Sequence, residues 1–327
     1  MKKLFSIGLI RGLVFQIIGT LVGAGLVTGI RAMMGLTYWA LDDANFGFTE
    51  PAWVVGGIFG VLFFLYGSRV MDGWLLWAKG EQPSEHHADP PGWRKYFGPS
   101  LDHKVIGVQY TITSLLLLSV GGSFALIFRT ELAASGIQFL DPNLYNTLMS
   151  LHGILMIVSI LLGIAGVMNY LTPLLIGAQD MTFPRLNAFS FWVAPPAAIL
   201  LLSSLALGGF DTGWTGYPPL SARAPVGMQM FFLGVFVAGW SSILGALNLI
   251  ATVLRLRAKG MTAFRLPIFV WAALATSIIS LTATQLIGLS FQMVMLQRLF
   301  GMGFFDATQG GNPILFQHLF WFYSHPA

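Results

Sequence analysis

The sequence predicts an all-α fold, a polytopic transmembrane helix bundle of about eight spans with the last one truncated. Three observations carry this expectation. Hydrophobic residues make up 55% of the 327-residue chain and charged residues only 9%, with a mean hydropathy of +0.73, well outside the range of soluble domains. Windows of about 20 apolar residues, long enough to cross a hydrocarbon core of roughly 30 Å as helices, alternate with short polar loops. The period-two alternation of a membrane barrel is absent.

The N-terminal MKKLFSIGLIRGL has a basic start and an apolar run, but no small-residue cleavage site is followed by a soluble domain, so it is read as a retained first helix. That span covers about residues 10–32 and the second about 53–76, joined by WALDDANFGFTEP into a two-helix front module. The polar segment 79–104 contains GEQPSEHHADPPGW and reads as a linker. His86 and His87, beside Glu85 and Asp89, are read as solvated rather than as metal ligands. The chain thus divides into a membrane module with its linker, residues 1–93, and a core, residues 94–327. Core spans follow at about 105–128, 148–176, 189–207, 228–254 and 267–292. A last one begins near Pro313 and reaches about 22 Å at 1.5 Å per residue, short of a full crossing, so the chain as given is expected to stop inside a helix.

The formal net charge is +4, and the basic residues are spread over particular loops, which argues against a nucleic-acid partner. With no cysteine, neither a disulfide nor a thiolate metal site is available, and a transition metal would depend on histidine. Lys and Arg gather at the N-terminus, in 79–104, at Arg185 and around Arg255, Arg257, Lys259 and Arg265. The opposite loops carry Asp42, Asp43, Glu50, Glu131, Asp141, Asp211 and Asp306. The basic side, with the N-terminus and Asp180, is therefore expected to be cytoplasmic.

The chemistry concentrates between Tyr145 and Asn187. His152 is set in an apolar helix, about one turn from its expected start. A buried neutral imidazole can ligate a metal through one nitrogen while the other is hydrogen-bonded, or it can simply bond a neighbouring helix. His318 and His325 lie seven apart, two turns along one face, so at most one belongs to a given metal centre. Asn169, Asp180 and Asn187 surround a proline-marked turn, with Tyr110, Ser241, Ser242 and Asn248 on other helices. Such groups can hold a file of water behind a proton-collecting acid, or they can cap a turn and pack helices. Arg129 ends the first core helix, where an arginine snorkels or donates to a cofactor oxygen. FDTGWTGYPPL is a Gly and Pro turn carrying Trp214 and Tyr217.

Taken together, DHKVIGVQY, ALIFRTEL, LHGILM, NYLTPLLIGAQDMTFPRLNAFSFW, DTGWTGYPPL, GWSSILGALN and FFDATQGGNPILFQHLFWFYSHP resemble subunit I of the haem-copper oxidases, over about residues 102–327 and in the family's order. The resemblance implies that His152 is an axial ligand of the low-spin haem and that Arg129 contacts that haem's periphery. It places Trp214 and Tyr217 in a near-haem loop. It makes His325 the first copper B ligand, with His318 a structural neighbour. Asn169, Asp180 and Asn187 match the entrance of the D proton channel, with Tyr110, Ser241, Ser242 and Asn248 along it. Tyr323 and Ser324 before the histidine resemble the subtype that uses a Tyr-Ser pair in place of a glutamate, here Ala327.

Between His152 and Asn169 the chain has two residues fewer than the family pattern, about 200° of helix rotation, so a local change in winding is expected. The implied function is the catalytic subunit of a cytochrome c oxidase in a bacterial plasma membrane. It would reduce oxygen to water with a low-spin haem, a high-spin haem and copper B. Its partners would be subunit II with copper A, other oxidase subunits, cytochrome c and membrane lipid. A quinol oxidase or a nitric oxide reductase is the alternative within the superfamily, and a proton-coupled helical transporter the alternative outside it. The high-spin haem and copper B need ligands beyond Ala327 in the family pattern, so the chain by itself is expected not to turn over.

Overall fold

A computed structural model describes residues 7–40, 46–83 and 89–326. Eleven α-helices occur among them and make seven spans long and apolar enough to cross a membrane, one of the seven built from two consecutive helices, which makes this an integral membrane protein. His86, His87, Glu85, Asp42, Asp43 and Ala327 lie outside the described residues.

Helix α1 (Gly8–Met33) and α2 (Glu50–Ser68) form an antiparallel pair. Small residues let their backbones approach, as membrane helices require in the absence of a hydrophobic drive between them. A Cβ at Gly19 would sit 2.6 Å from the Phe59 carbonyl oxygen, and one at Gly23 2.9 Å from that of Val55. The second span is shorter than expected. Arg69, at φ 72°, closes α2, and a separate short helix, α3 (Asp72–Ala78), follows with Leu75 and Leu76 each about a third exposed. Two charges, Arg69 and Asp72, end the apolar run where hydropathy alone would carry it on.

A short 3-10 turn, Gly92–Phe97, leads to α4 (His103–Glu131), capped by Asp102, whose carboxylate accepts from the Lys104 N–H at 2.8 Å. The Gln109 amide donates to the carbonyls of Gly98 at 2.7 Å and of Lys95 and Tyr96 at 3.3 Å, so the segment before the core is fastened to α4. Helix α5 (Pro142–Ile176) starts six residues before the expected Leu148. Asp141 caps it, accepting from the Asn143 and Leu144 N–H groups, and Pro142 takes the first helical position. His152 is therefore the eleventh residue of its helix, about three turns in rather than one. The change in winding expected before Asn169 is also absent, since α5 is α-helical throughout.

The next span consists of α6 (Pro184–Trp192) and α7 (Ala194–Ser203), broken at Val193 just before Pro195 and Pro196. One turn, α8 (Leu220–Arg223), precedes α9 (Gly227–Arg255), whose Phe231 and Phe232 are fully buried at the centre of the core. Helix α10 (Ile268–Phe300) and the twelve-residue α11 (Pro313–Ser324) complete the bundle, with Phe291, Phe316 and Phe320 in contact between them. The expected eighth span is thus present as the short α11.

Helix α10 runs eight residues past its expected end at Gln292 because Arg298 is neutralised. Its guanidinium makes a two-pronged pair with Glu50 of α2, at 2.8 and 3.0 Å, and donates to the Ser221 carbonyl at 2.8 Å. The Gln229 amide also donates to Glu50. The front helices are thereby tied to the core, against which α2 also packs through α9 and α7. Breaking one side of such a pair strands a charge. Arg298→Met is expected to lower unfolding stability in detergent by about 3 kcal/mol, and adding Glu50→Gln is expected to recover most of that loss. A thermal-unfolding double-mutant cycle reads it, and additive losses would show that the pair is not coupled.

Candidate functional site

The site has two parts, both organised by α5. In its N-terminal half, α5 crosses α4 where Gly121 leaves no side chain: a Cβ there would stand 3.2 Å from that of Leu155. This brings the His152 Nδ1 to 2.9 Å from the Gly121 carbonyl oxygen. A carbonyl can only accept, so Nδ1 carries the proton and Nε2 presents its lone pair. Phe128 of α4 meets the imidazole edge to face, with centroids 5.6 Å apart, and also touches Tyr145. The next residue of α5, Gly153, lies under the Trp214 ring, which a Cβ would meet at 3.1 Å.

Trp214 and Tyr217 belong to the turn between α7 and α8, and that turn packs on α11. Trp214 packs tilted on Phe320 at 5.3 Å and edge-on against Trp321 at 6.0 Å, Tyr217 touches Phe316 and Phe320, and the Trp321 indole N–H donates to the Tyr217 hydroxyl. The turn is therefore fixed beside His152 by aromatic contacts. Arg129 follows Phe128 at the end of α4 and is exposed there.

Toward the C-terminal end of α5, helices α4, α5, α6 and α9 enclose a polar chain. Asn169 and Asn187 are buried and exchange two amide hydrogen bonds, at 2.9 and 2.7 Å. Ser190, three residues after Asn187 on the same face, donates to the Asn187 carbonyl at 2.8 Å, and its hydroxyl lies 3.1 Å from the Tyr110 hydroxyl. Tyr110 in turn is 3.3 Å from the Ser241 hydroxyl. The side chains thus run Asn169, Asn187, Ser190, Tyr110, Ser241. Ser242 is only partly buried and lies outside this run. Asn248 clamps the turn instead: its amide accepts from the Phe183 N–H and donates to the Phe183 carbonyl, while Thr252 accepts from the Thr182 N–H.

Asp180 stands half-buried in the turn between α5 and α6, and one carboxylate oxygen accepts from the Met181 N–H at 2.6 Å. Among the described residues the carboxylate is not hydrogen-bonded to the amide pair. Burial raises its pKa above the ordinary value near 3.8; the Met181 N–H and the nearby His103 oppose this, and Asp102 adds to it. Its proton therefore persists to higher pH than on a free aspartate.

Thr252, Ser190 and His103 of this region are not singled out by the sequence. Ser190 was legible in principle from its i+3 relation to Asn187. His103, flanked by Asp102 and Lys104, looked like part of a solvated linker end, yet it is buried, its Nδ1 donates to the Asn169 carbonyl at 2.9 Å, and its Nε2 has no partner.

On α11, Tyr323 lies beside Thr284 of α10, and the Ser324 hydroxyl is buried without a partner. His325 is the exposed C-cap residue and His318 is exposed one face away from the buried Phe316 and Phe320. No group of three or more His, Asp or Glu side chains that could hold a metal occurs among the described residues. For a haem iron, the His152 nitrogen has the right form: one ring nitrogen fixed by a carbonyl, the other free to donate, an aromatic wall alongside. For copper, His325 is a single ligand and the residues described do not make a site.

The sequence profile of the family described as Cytochrome C and Quinol oxidase polypeptide I matches residues 105–327. The cytochrome c oxidase subunit 1 of Thermostichus vulcanus is 46% identical over 238 residues, which cover 72% of this chain and 43% of that protein. The protein of the same name from Synechocystis sp. is 47% identical over 237 residues, with the same shares, and a putative cytochrome c oxidase subunit 1-beta of Streptomyces avermitilis is 42% identical over 231 residues, 69% of this chain and 41% of that one. The chain spans less than half the length of these curated relatives. With the profile covering well over half of the chain and helices laid out around the histidine and amide positions just described, this protein belongs to the cytochrome c and quinol oxidase polypeptide I family.

Proposed function

We propose that this chain provides the low-spin haem site and the proton entrance of a terminal respiratory oxidase that reduces oxygen to water and moves protons across a bacterial plasma membrane. The observation that carries the reading is the use of one helix for both tasks. His152 offers a ligand nitrogen while its other nitrogen is held by Gly121, and seventeen residues on, Asn169 joins the buried amide and hydroxyl chain. When bound, the haem supplies a one-electron redox centre. The protein orients His152, shields it with Phe128 and Trp214, and keeps Arg129 at the helix end where it can reach a haem-edge oxygen.

On the proton side, Asp180 collects protons at the cytoplasmic surface, its carboxyl held more basic than a free one. Asn169, Asn187, Ser190, Tyr110 and Ser241 orient waters behind it, and Ser242 and Asn248 belong to the same pathway, Asn248 by holding the turn. Tyr323 and Ser324 are assigned to its inner end. His325 is assigned to copper B together with ligands from outside the residues described, and the same holds for the high-spin haem. Partners are a subunit II with copper A and other oxidase subunits. Residues 1–93 are a membrane module added to the catalytic core of 94–327, with the N-terminus cytoplasmic.

Cytochrome c is proposed as the donor because the relatives are named cytochrome c oxidases; the family description also covers quinol oxidases. Oxygen uptake by the oxidase purified from its own membranes tests this. Reduced cytochrome c should support turnover and a quinol should not; uptake with quinol alone would assign the other donor, and a preparation with no haem absorbance would remove the oxidase reading altogether.

A further inference from the structure

The turn that carries Trp214 and Tyr217 is fastened at two points, and neither fastener belongs to the turn. At its start, Thr147 of α5 holds Phe210 in both directions: the hydroxyl donates to the Phe210 carbonyl and accepts from the Phe210 N–H, each at 3.1 Å. At its end, the Arg298 guanidinium of α10 donates to the Ser221 carbonyl at 2.8 Å and, more weakly, to the Pro225 carbonyl at 3.5 Å. Ser221 is coupled back to the aromatic residues, because its own N–H donates to the Tyr217 carbonyl at 3.1 Å. Between the two fasteners Trp214 lies against Gly153, the neighbour of His152.

Glu50 aims Arg298. The guanidinium Nε and one Nη go to the two carboxylate oxygens, at 2.8 and 3.0 Å, which leaves the other Nη directed at the Ser221 carbonyl. Because the group is a planar fork, fixing two of its nitrogens fixes the third. The Arg298 side chain is only 6% exposed, and a charge so enclosed needs its counter-ion. Glu50 stands at the start of α2, outside the residues 105–327 that match the family profile, whereas Arg298, Ser221 and Trp214 stand inside them.

We infer that Glu50 and Arg298 are positioning residues for the low-spin haem site: through this pair the front module sets the far end of the turn, and with it the seat of Trp214 beside His152. The inference rests on His152 being the haem ligand. It gives α2 a task beyond joining helices. A purely structural pair would stabilise the bundle whichever way the turn lay, and a neutral pair of similar size would serve as well. A positioning pair must keep a donor on the Ser221 carbonyl.

Two measurements on the intact oxidase separate these roles: hydrogen–deuterium exchange of residues 210–225, and the low-spin ferric haem signal in electron paramagnetic resonance. The decisive variant combines Glu50→Gln with Arg298→Met, so that no charge is stranded and no donor reaches Ser221. Its unfolding stability should be mostly recovered relative to Arg298→Met alone. Exchange of the turn amides should nevertheless be about tenfold faster than in the wild type, the worth of one charge-assisted hydrogen bond. Its low-spin signal should be shifted and broadened, because the ring beside His152 no longer has a single seat. Glu50→Gln alone, which keeps the donor but frees the guanidinium, should change both readouts by less. Thr147→Val, which releases the other end of the turn, should move the haem signal as the double variant does. A wild-type haem signal in these variants overturns the inference, and so does an altered signal with unchanged exchange of the turn, since the effect would then not pass through it. A wild-type oxidase with no low-spin signal would instead remove the haem reading, and the inference with it.

Discussion

His152→Ala is expected to abolish the low-spin haem band in the reduced-minus-oxidised spectrum of the assembled oxidase and to lower oxygen uptake by at least about 10²-fold. The magnitude follows from what the side chain does. Outer-shell groups that merely orient a ligand are worth roughly 10- to 100-fold in metal affinity, and here the ligand itself is lost. The fold should survive. The imidazole makes one interhelical hydrogen bond, to Gly121, worth about 1 kcal/mol, while the α4–α5 contact rests on close backbone packing at Gly121 and along Gly107 and Gly166. Unchanged helical circular dichroism with a missing haem band is therefore the expected pair of results. A low-spin band that persists in this variant would remove the ligand assignment.

Asp180→Asn is expected to slow proton uptake from the cytoplasmic side by about 10²-fold, the lower end of what a positioned proton donor contributes. It should also show a pH-dependent gain in stability. Because burial raises the carboxyl pKa in the folded protein, folding favours the protonated form, and ionised Asp180 costs stability. That cost sets in as pH rises above about 3.8 and is complete above the raised value. The asparagine avoids it. Thermal unfolding should thus occur at higher temperature for the variant at neutral pH, with the difference vanishing as pH approaches 3.8. A variant that is equally stable at all pH values would mean that the carboxylate is as well solvated in the fold as outside it.

The spans were legible because a bilayer admits few alternatives to an apolar helix of about 20 residues. Their ends were not, wherever a polar residue is satisfied by something distant in sequence. Arg298 looked like a stop but continues inside α10 because Glu50, 248 residues away, neutralises it. Asn143 and Asn146 looked like loop, yet they follow an Asp-Pro cap and belong to α5. Leu75 and Leu76 extended the second span on paper, and Arg69 in a left-handed conformation ends it. The site shows the same split. His152 stands out as a histidine in hydrocarbon, but its Gly121 partner is a backbone carbonyl that no side-chain pattern reveals. Asn169 joins Asn187 on an unbroken helix, where residue spacing had suggested a rewound one. His103 was hidden by its charged neighbours, although its ring is buried against Asn169.

The central claim is that α5 and its turn carry an electron site and a proton entrance as separable functions. The most direct measurement follows both in one reaction: a single turnover started with oxygen in liposomes holding fully reduced Asp180→Asn oxidase, recording haem oxidation optically and internal proton uptake with a pH dye. The low-spin haem should be present and reducible as in the wild type while proton uptake slows about 10²-fold. Wild-type proton uptake in this variant, or loss of the low-spin haem together with proton uptake, would contradict it.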